Sequence, residues 1–341
     1  MKTRLFTPGR VNLIGEHTDY NGGMVLPTAI GLGTTITLTP RTDATIQIQS
    51  DKFDDVATRS LSDSAINHWS DYVTGAIVFA NQVGLLKGGA DIAIETTLPF
   101  GAGLSSSASV IVGLLKIGRE LSAKDMSDTD IAVLARQIEN EFIGMPCGIM
   151  DQMAVTIASP GKALALDTES LNYSLVDLPQ DYHMAVIHSG QFRQLSEGRY
   201  KTRKEECDII KEQLGREDIC RISDAEYNSL STLPKHIKNR AKHCMTEHKR
   251  TLAAIQSLTI KNINTFGELM TESHASMRDD FDITLPQIDN LVEDAVAFGA
   301  LGARMTGGGF GGCIVACVKK NRLDSWKDNL LERHSNAFYV C

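Results

Sequence analysis

The alternation of apolar and polar positions changes period several times along the chain, and each change marks an element. Residues 33–39 (GTTITLT) and 44–49 (ATIQIQ) alternate strictly and are rich in Thr and Ile, so they read as adjacent strands. Between 69 and 86 the period becomes helical, with Tyr72, Ala76, Phe79 and Val83 on one stripe. A strand follows at 90–97, then a helix at 108–121 and another at 128–142, opened by Ser, Asp and other acidic residues. Residues 162–167 and 171–178 read as a hairpin, and 184–188 as a short buried strand. Long helical runs occupy 197–214, 234–258, 263–277 and 285–298. Strands at 302–305, 313–318 and 337–340 surround a final helix at 322–333. The fold class is therefore mixed α/β (α+β), with a domain boundary expected near 167–179 and no repeat or low-complexity linker.

The stretch from Leu98 to Ser109 (LPFGAGLSSSAS) interrupts this pattern between a strand and a helix. A glycine-rich turn that opens a helix presents unpaired backbone N–H groups where the helix dipole favours negative charge, so it is an anion site. Gly101 and Gly103 allow the backbone close to a phosphate. Ser105, Ser106 and Ser107 add hydroxyl donors and an oxygen ligand for a metal. No Gly-Lys-Ser/Thr follows, so the turn is not an ordinary P-loop, nor is it a dinucleotide GxGxxG.

Bulk properties narrow the ligand. The chain has 341 residues, 42% of them apolar, enough for two domains with real cores. A net charge of −8 with no basic stripe argues against nucleic acid, though not against a nucleotide. The apolar runs fall far below the roughly 20 residues of a membrane span, and the chain enters its first motif directly, so neither membrane nor signal peptide is expected. Seven scattered cysteines read as reduced thiols of a cytoplasmic protein.

Two more glycine-rich stretches stand near the ends: Thr7 to Gly23 (TPGRVNLIGEHTDYNGG) and Met305 to Cys313 (MTGGGFGGC). With the serine turn and the run Met145 to Gln152 (MPCGIMDQ), they resemble, in order, the signature motifs of the GHMP small-molecule kinases. The first is close to the signature of the galactokinase branch. The resemblance implies two α/β lobes, residues 1–172 and 173–341, with the active site in the cleft between them. It implies ATP and Mg2+ as cofactors, a small-molecule sugar as acceptor, and a monomer.

Specific roles follow from the same resemblance. Gly101, Gly103, Ser105, Ser106 and Ser107 hold the triphosphate. Ser107 and Glu139, twelve residues before Asp151, hold magnesium; a hydroxyl and a carboxylate are ordinary ligands for that hard cation. Asp151 sits among uncharged neighbours, so it is expected to be poorly solvated, and the matching family residue receives the proton of the anomeric hydroxyl. Arg10 keeps Asp151 ionised and stabilises charge on the transferred group. Glu16, His17, Asp19, Gly148 and Tyr200 match sugar contacts. Trp69 and Tyr72 match an adenine pocket, although their spacing reads equally as a helix core face. Motif three matches a loop that packs against motif one through close backbone contact.

Metal look-alikes are weaker. The cluster Glu16-His17-Thr18-Asp19 lacks a second nearby histidine. His243, Cys244 and His248 lie in a lysine-rich helical run and read as an exposed helix face. One departure from the galactokinase pattern bears on the acceptor: in the stretch from His188 to Tyr200, Gly198 and Arg199 replace the usual Ser-Glu. Arg199 either compensates a substrate carboxylate or faces water. The expected reaction is phosphorylation of D-galactose to α-D-galactose 1-phosphate. N-acetylgalactosamine, arabinose or a uronic acid remain open as acceptors, as does a non-catalytic sugar and ATP sensor.

Overall fold

The computed structural model describes residues 2–99, 101–191 and 196–341, with the side chains of 196 and 197 left out. The described residues pack into two compact units. One comprises Met1–Arg10, Ala29–Leu98 and Ser105–Ala158; the other comprises Val11–Thr28, Pro99–Leu104 and Ser159–Cys341.

In the first unit the strand Thr3–Asn12 pairs with the long strand Pro27–Pro40. The latter runs antiparallel to Ala90–Thr96, with Ile36 opposite Ile94 and Leu38 opposite Ile92. Alternation sends these four side chains to one buried face. Thr45–Ser50 pairs in parallel with Ala90–Thr96, placing Ile48 opposite Ile92, and in antiparallel with Phe53–Ser60. The two strands expected to be adjacent are thus separated by Ala90–Thr96. Period-2 alternation selects the buried face of a strand but says nothing about lateral order. The strand Phe53–Ser60 is not legible in the sequence because half of its side chains are exposed and its polar residues, Asp54 and Asp55 in succession, break the alternation.

Helices Asp71–Gln82, Ser106–Ser122, Asp128–Gln137 and Met150–Ile157 cover that face and share its core with Ile77, Ile111 and Leu115. Ser127 caps Asp128–Gln137 reciprocally with Asp130. The expected single helix over 128–142 changes character part-way: Ile138–Ile143 is a π-helical turn, closed by Gly144 at φ 78°. Such turns widen the backbone and re-aim the side chains they carry.

In the second unit Met24–Val25, Lys162–Asp167 and Tyr173–Asp177 pair antiparallel, so the expected hairpin forms. A separate antiparallel sheet has the order Gly302–Thr306, Cys313–Lys319, Tyr182–His188, Phe338–Tyr339. The helices Ser196–Leu214, Lys235–Thr259, Ile263–Ser276, Pro286–Ala297 and Leu323–Arg333 complete it. Its core contains Ile187, Ile210, Phe281, Met305 and Trp326, whose indole N–H donates to the Ala295 carbonyl at 2.8 Å.

A second expectation is overturned here. His243, Cys244 and His248 are buried, not an exposed helix face. The lysines of the run occupy the other side of the helix, so local charge gave the wrong face. None of the seven cysteines is in a disulfide. Among the described residues no helix is long and apolar enough to cross a membrane.

Candidate active site

Arg10, near the end of the first strand, meets Asp151, in the first turn of Met150–Ile157. The guanidinium donates through Nε to Oδ1 and through Nη2 to Oδ2, both at 2.8 Å. This fork geometry fixes the carboxylate plane as well as its charge. Ser105 donates its hydroxyl to Oδ2 at 2.7 Å. Arg10 is 4% exposed, whereas the Asp151 side chain is 31% exposed. Asp151 is therefore more open than its uncharged sequence neighbourhood implied: the apolar neighbours turn into the core, and the first helical turn leaves the carboxylate outward.

The serine turn places three residues in the left-handed region ahead of a helix. Gly101 and Gly103 take φ of 67° and 70°, and Ser105 takes φ 64°. Ser105 precedes Ser106–Ser122 without capping it, because its hydroxyl is committed to Asp151. The first amides of that helix thus receive no cap from Ser105. Ser105, expected on phosphate, therefore uses its side chain to brace Asp151. Ser106 is exposed and Ser107 half-buried.

Ser107 and Glu139 are brought together by a side-chain hydrogen bond. Glu139 rides on the π-helical turn and is 7% exposed. The Gln152 amide and the Cys147 thiol (Sγ to Oε2 3.4 Å) also donate to it. Burial pushes the Glu139 carboxyl above its usual range despite these donors. Among the described residues it has no ion-pair partner. A buried carboxylate beside a hydroxyl, short of positive charge, is a donor set that fits a hard cation. Gln152 and Cys147 were not singled out from sequence, where an amide and a thiol give no distinguishing spacing.

Trp69 and Tyr72 are both half-buried in the first unit. Trp69 stacks on Phe53 with centroids 4.6 Å apart and planes 6° from parallel, and its indole N–H donates to Asp55 at 3.3 Å. Tyr72 donates its hydroxyl to Met145 Sδ at 3.5 Å. The turn before them is locked by a buried pair: Arg59 donates to Asp71 at 2.7 Å, while Asp71 also accepts the Ile66 and His68 amides at 3.0 and 2.9 Å. Gly148 is buried in the same unit.

The second unit gathers Glu16, His17 and Tyr200. Glu16 is 2% exposed and accepts the Gly307 amide at 2.7 Å; Arg304 lies 3.6 Å away. His17 sits at φ 59°, with Nδ1 2.6 Å from the Tyr20 hydroxyl and its ring 5.2 Å from Tyr200. Asp19 is half-buried. Motif three packs on motif one as expected: Thr306 donates to the Asn12 carbonyl at 3.0 Å and accepts the Asn12 amide at 3.2 Å. Arg199 is exposed with its guanidinium 5.2 Å from the centre of the Phe310 ring. Of the stretch around it, residues 192–195 lie outside the described residues.

Three family models match the chain: the galactokinase galactose-binding signature at residues 4–40, the GHMP kinases N terminal domain at 71–159, and the GHMP kinases C terminal at 251–336. A galactokinase from Pasteurella multocida (strain Pm70) is 37% identical over 356 residues, covering 99% of this chain and 92% of that protein. The chain belongs to the galactokinase family.

The galactokinase of Lactococcus lactis, solved in complex with galactose, matches with a TM-score of 0.94 at 32% identity, over 99% of this chain and 92% of that one. The mevalonate kinase of Methanococcus jannaschii shares the fold, with a TM-score of 0.73 at 22% identity over 99% and 98%. As a galactokinase family member, this chain is a phosphotransferase that uses ATP and has a sugar hydroxyl as acceptor. The galactokinase signature spans Arg10, Glu16, His17 and Asp19. The N-terminal domain match spans Tyr72, the serine turn, Glu139 and Asp151, and begins two residues after Trp69.

Proposed function

We propose that this chain transfers the γ-phosphoryl group of ATP to the anomeric hydroxyl of D-galactose, yielding ADP and α-D-galactose 1-phosphate. The observation that carries the reading is the forked Arg10–Asp151 pair braced by Ser105. Asp151 aligns the hydroxyl and receives its proton as the new P–O bond forms and the bond from Pγ to the β-phosphate bridging oxygen breaks. Arg10 holds the carboxylate in plane through its two hydrogen bonds. The uncapped start of Ser106–Ser122, with Gly101, Gly103, Ser106 and Ser107, receives the triphosphate. Ser107 and Glu139 would hold Mg2+, which offsets phosphate charge when bound.

Trp69 and Tyr72 border the adenine in this reading. Glu16, His17, Asp19, Gly148 and Tyr200 serve the sugar hydroxyls, where a buried partner left unpaired penalises the wrong epimer. Arg199, on the Phe310 ring and in solvent, supports a neutral acceptor over a uronic acid. Phosphorus NMR of products from a sugar panel tests the proposal. The expected result is a single anomeric phosphate from galactose. Product only from N-acetylgalactosamine, arabinose or a uronic acid would move the acceptor, and tight sugar and ATP binding without product would make the chain a sensor.

A further inference from the structure

One face of the helix Lys235–Thr259 is both polar and buried. His243, Glu247 and Thr251 recur along it every four residues, with His248 alongside, and none is more than 9% exposed. A helix normally presents apolar side chains to a core, and a buried carboxylate is costly unless fully bonded. These side chains face one target, the backbone of residues 15–24. Glu247 Oε1 accepts the Gly15 amide at 3.0 Å. His243 donates from Nε2 to the Glu16 carbonyl at 3.1 Å, the only direction a carbonyl allows. His248 Nδ1 accepts the Met24 amide at 3.1 Å.

Glu247 is the centre of this arrangement. Its oxygens also accept the Ser273 hydroxyl at 2.5 Å and the Arg250 Nε–H at 2.9 Å. Fully buried Arg304 lies 3.9 Å from Glu247 and 3.6 Å from Glu16, joining the two carboxylates. Gly15 has no freedom to adapt: at φ 98°, a Cβ there would lie 2.6 Å from the Met24 carbonyl oxygen. The backbone that launches Glu16 and His17 is thus set from behind by a charged group.

We infer that Glu247 is a positioning residue for sugar recognition: through the Gly15 amide and Arg304 it fixes the segment from which Glu16, His17 and Asp19 reach the acceptor. The inference rests on the galactose kinase reading above. Glutamine at 247 has the same shape but no charge for Arg250 and Arg304, and its NH2 opposes either the Gly15 and Ser273 donors at Oε1 or the Arg250 donor at Oε2, so the hold on the segment is weakened. Displacements on the order of 1 Å near a reacting group cost on the order of 100-fold.

The test is E247Q against wild type, with galactose and ATP varied separately and with thermal shifts on adding galactose or a non-hydrolysable ATP analogue. Expected are a rise in galactose KM of at least about tenfold and loss of the galactose thermal shift, with ATP KM and the analogue's shift unchanged. An unchanged galactose KM, or galactose and ATP KM rising together, overturns the role. If E247Q does not fold, E247D, which keeps the charge but draws the carboxylate back from the Gly15 amide by one methylene, decides on the same two readouts. Wild type inactive on galactose refutes the function itself and not the positioning, which the thermal shifts read independently with the sugar that does bind.

Discussion

Replacing His243 by glutamine should flatten the acid limb of stability. His243 is fully buried, and burial, aided by Arg250 and Arg304, pushes its pKa down to about 4 against the pull of Glu247 and the Glu16 carbonyl. An unfolded chain binds a proton at this side chain below about pH 6.5, whereas the native protein does so only near pH 4. The unfolded state therefore holds more protons through that interval. The contribution of His243 to stability is fully present above pH 6.5 and is lost as pH falls towards 4. At about 1.4 kcal/mol for each pH unit, the fall from 6.5 to about 4 amounts to on the order of 3 kcal/mol.

Urea unfolding of wild type and H243Q at half-unit steps from pH 7.5 to 4.5 measures this. Glutamine keeps an N–H for the Glu16 carbonyl and has nothing to titrate. His248, which burial also pushes down, is present in both proteins, so its contribution cancels in the difference. Glu247 acts lower still: burial alone would raise its pKa, but Arg250, His243 and Arg304 prevail and hold it at about 2, so its contribution is lost as pH falls below about 4.5. The wild-type curve should fall more steeply than that of H243Q by up to about 1.4 kcal/mol per pH unit. Parallel curves between pH 6.5 and 4.5 would refute the account of His243 as a group kept neutral by burial.

D151A should lower kcat by roughly 10²–10⁴ while leaving the affinity for an ATP analogue near wild type, checked by steady-state kinetics and calorimetry; lost nucleotide affinity with unaltered turnover contradicts the assigned role. E139Q should weaken Mn2+ binding by at least about tenfold, read by electron paramagnetic resonance on the protein with nucleotide; unchanged Mn2+ affinity removes Glu139 from the metal site. R59M breaks a buried pair with Asp71 and should cost about 3–5 kcal/mol in denaturant unfolding. Because Asp71 also holds the Ile66 and His68 amides ahead of Trp69, R59M should raise ATP KM without raising galactose KM.

The elements with a strong period were legible from the residues alone. The helices at 71–82, 106–122 and 235–259 and the strands at 90–96 and 162–167 follow from apolar spacing, because a side chain's face is set by backbone geometry within its own segment. The turn that opens the helix at 106–122 was legible for the same reason: glycines adopt positive φ without steric cost, and they do so here at 101 and 103. What local spacing could not carry was anything that depends on a partner distant in the chain. It could not say that Ala90–Thr96 inserts between Pro27–Pro40 and Thr45–Ser50, that Ser105 braces Asp151 across 46 positions, or that the charged run at 243–248 turns inward on Glu16 and Met24. Burial is a property of what packs opposite, so a lysine-rich helix hides a buried His-Glu-His face until its neighbours are in place. Residue identity supplied the candidate reacting groups of this protein; tertiary packing decided which of them are held, which are left open, and which stand behind the others.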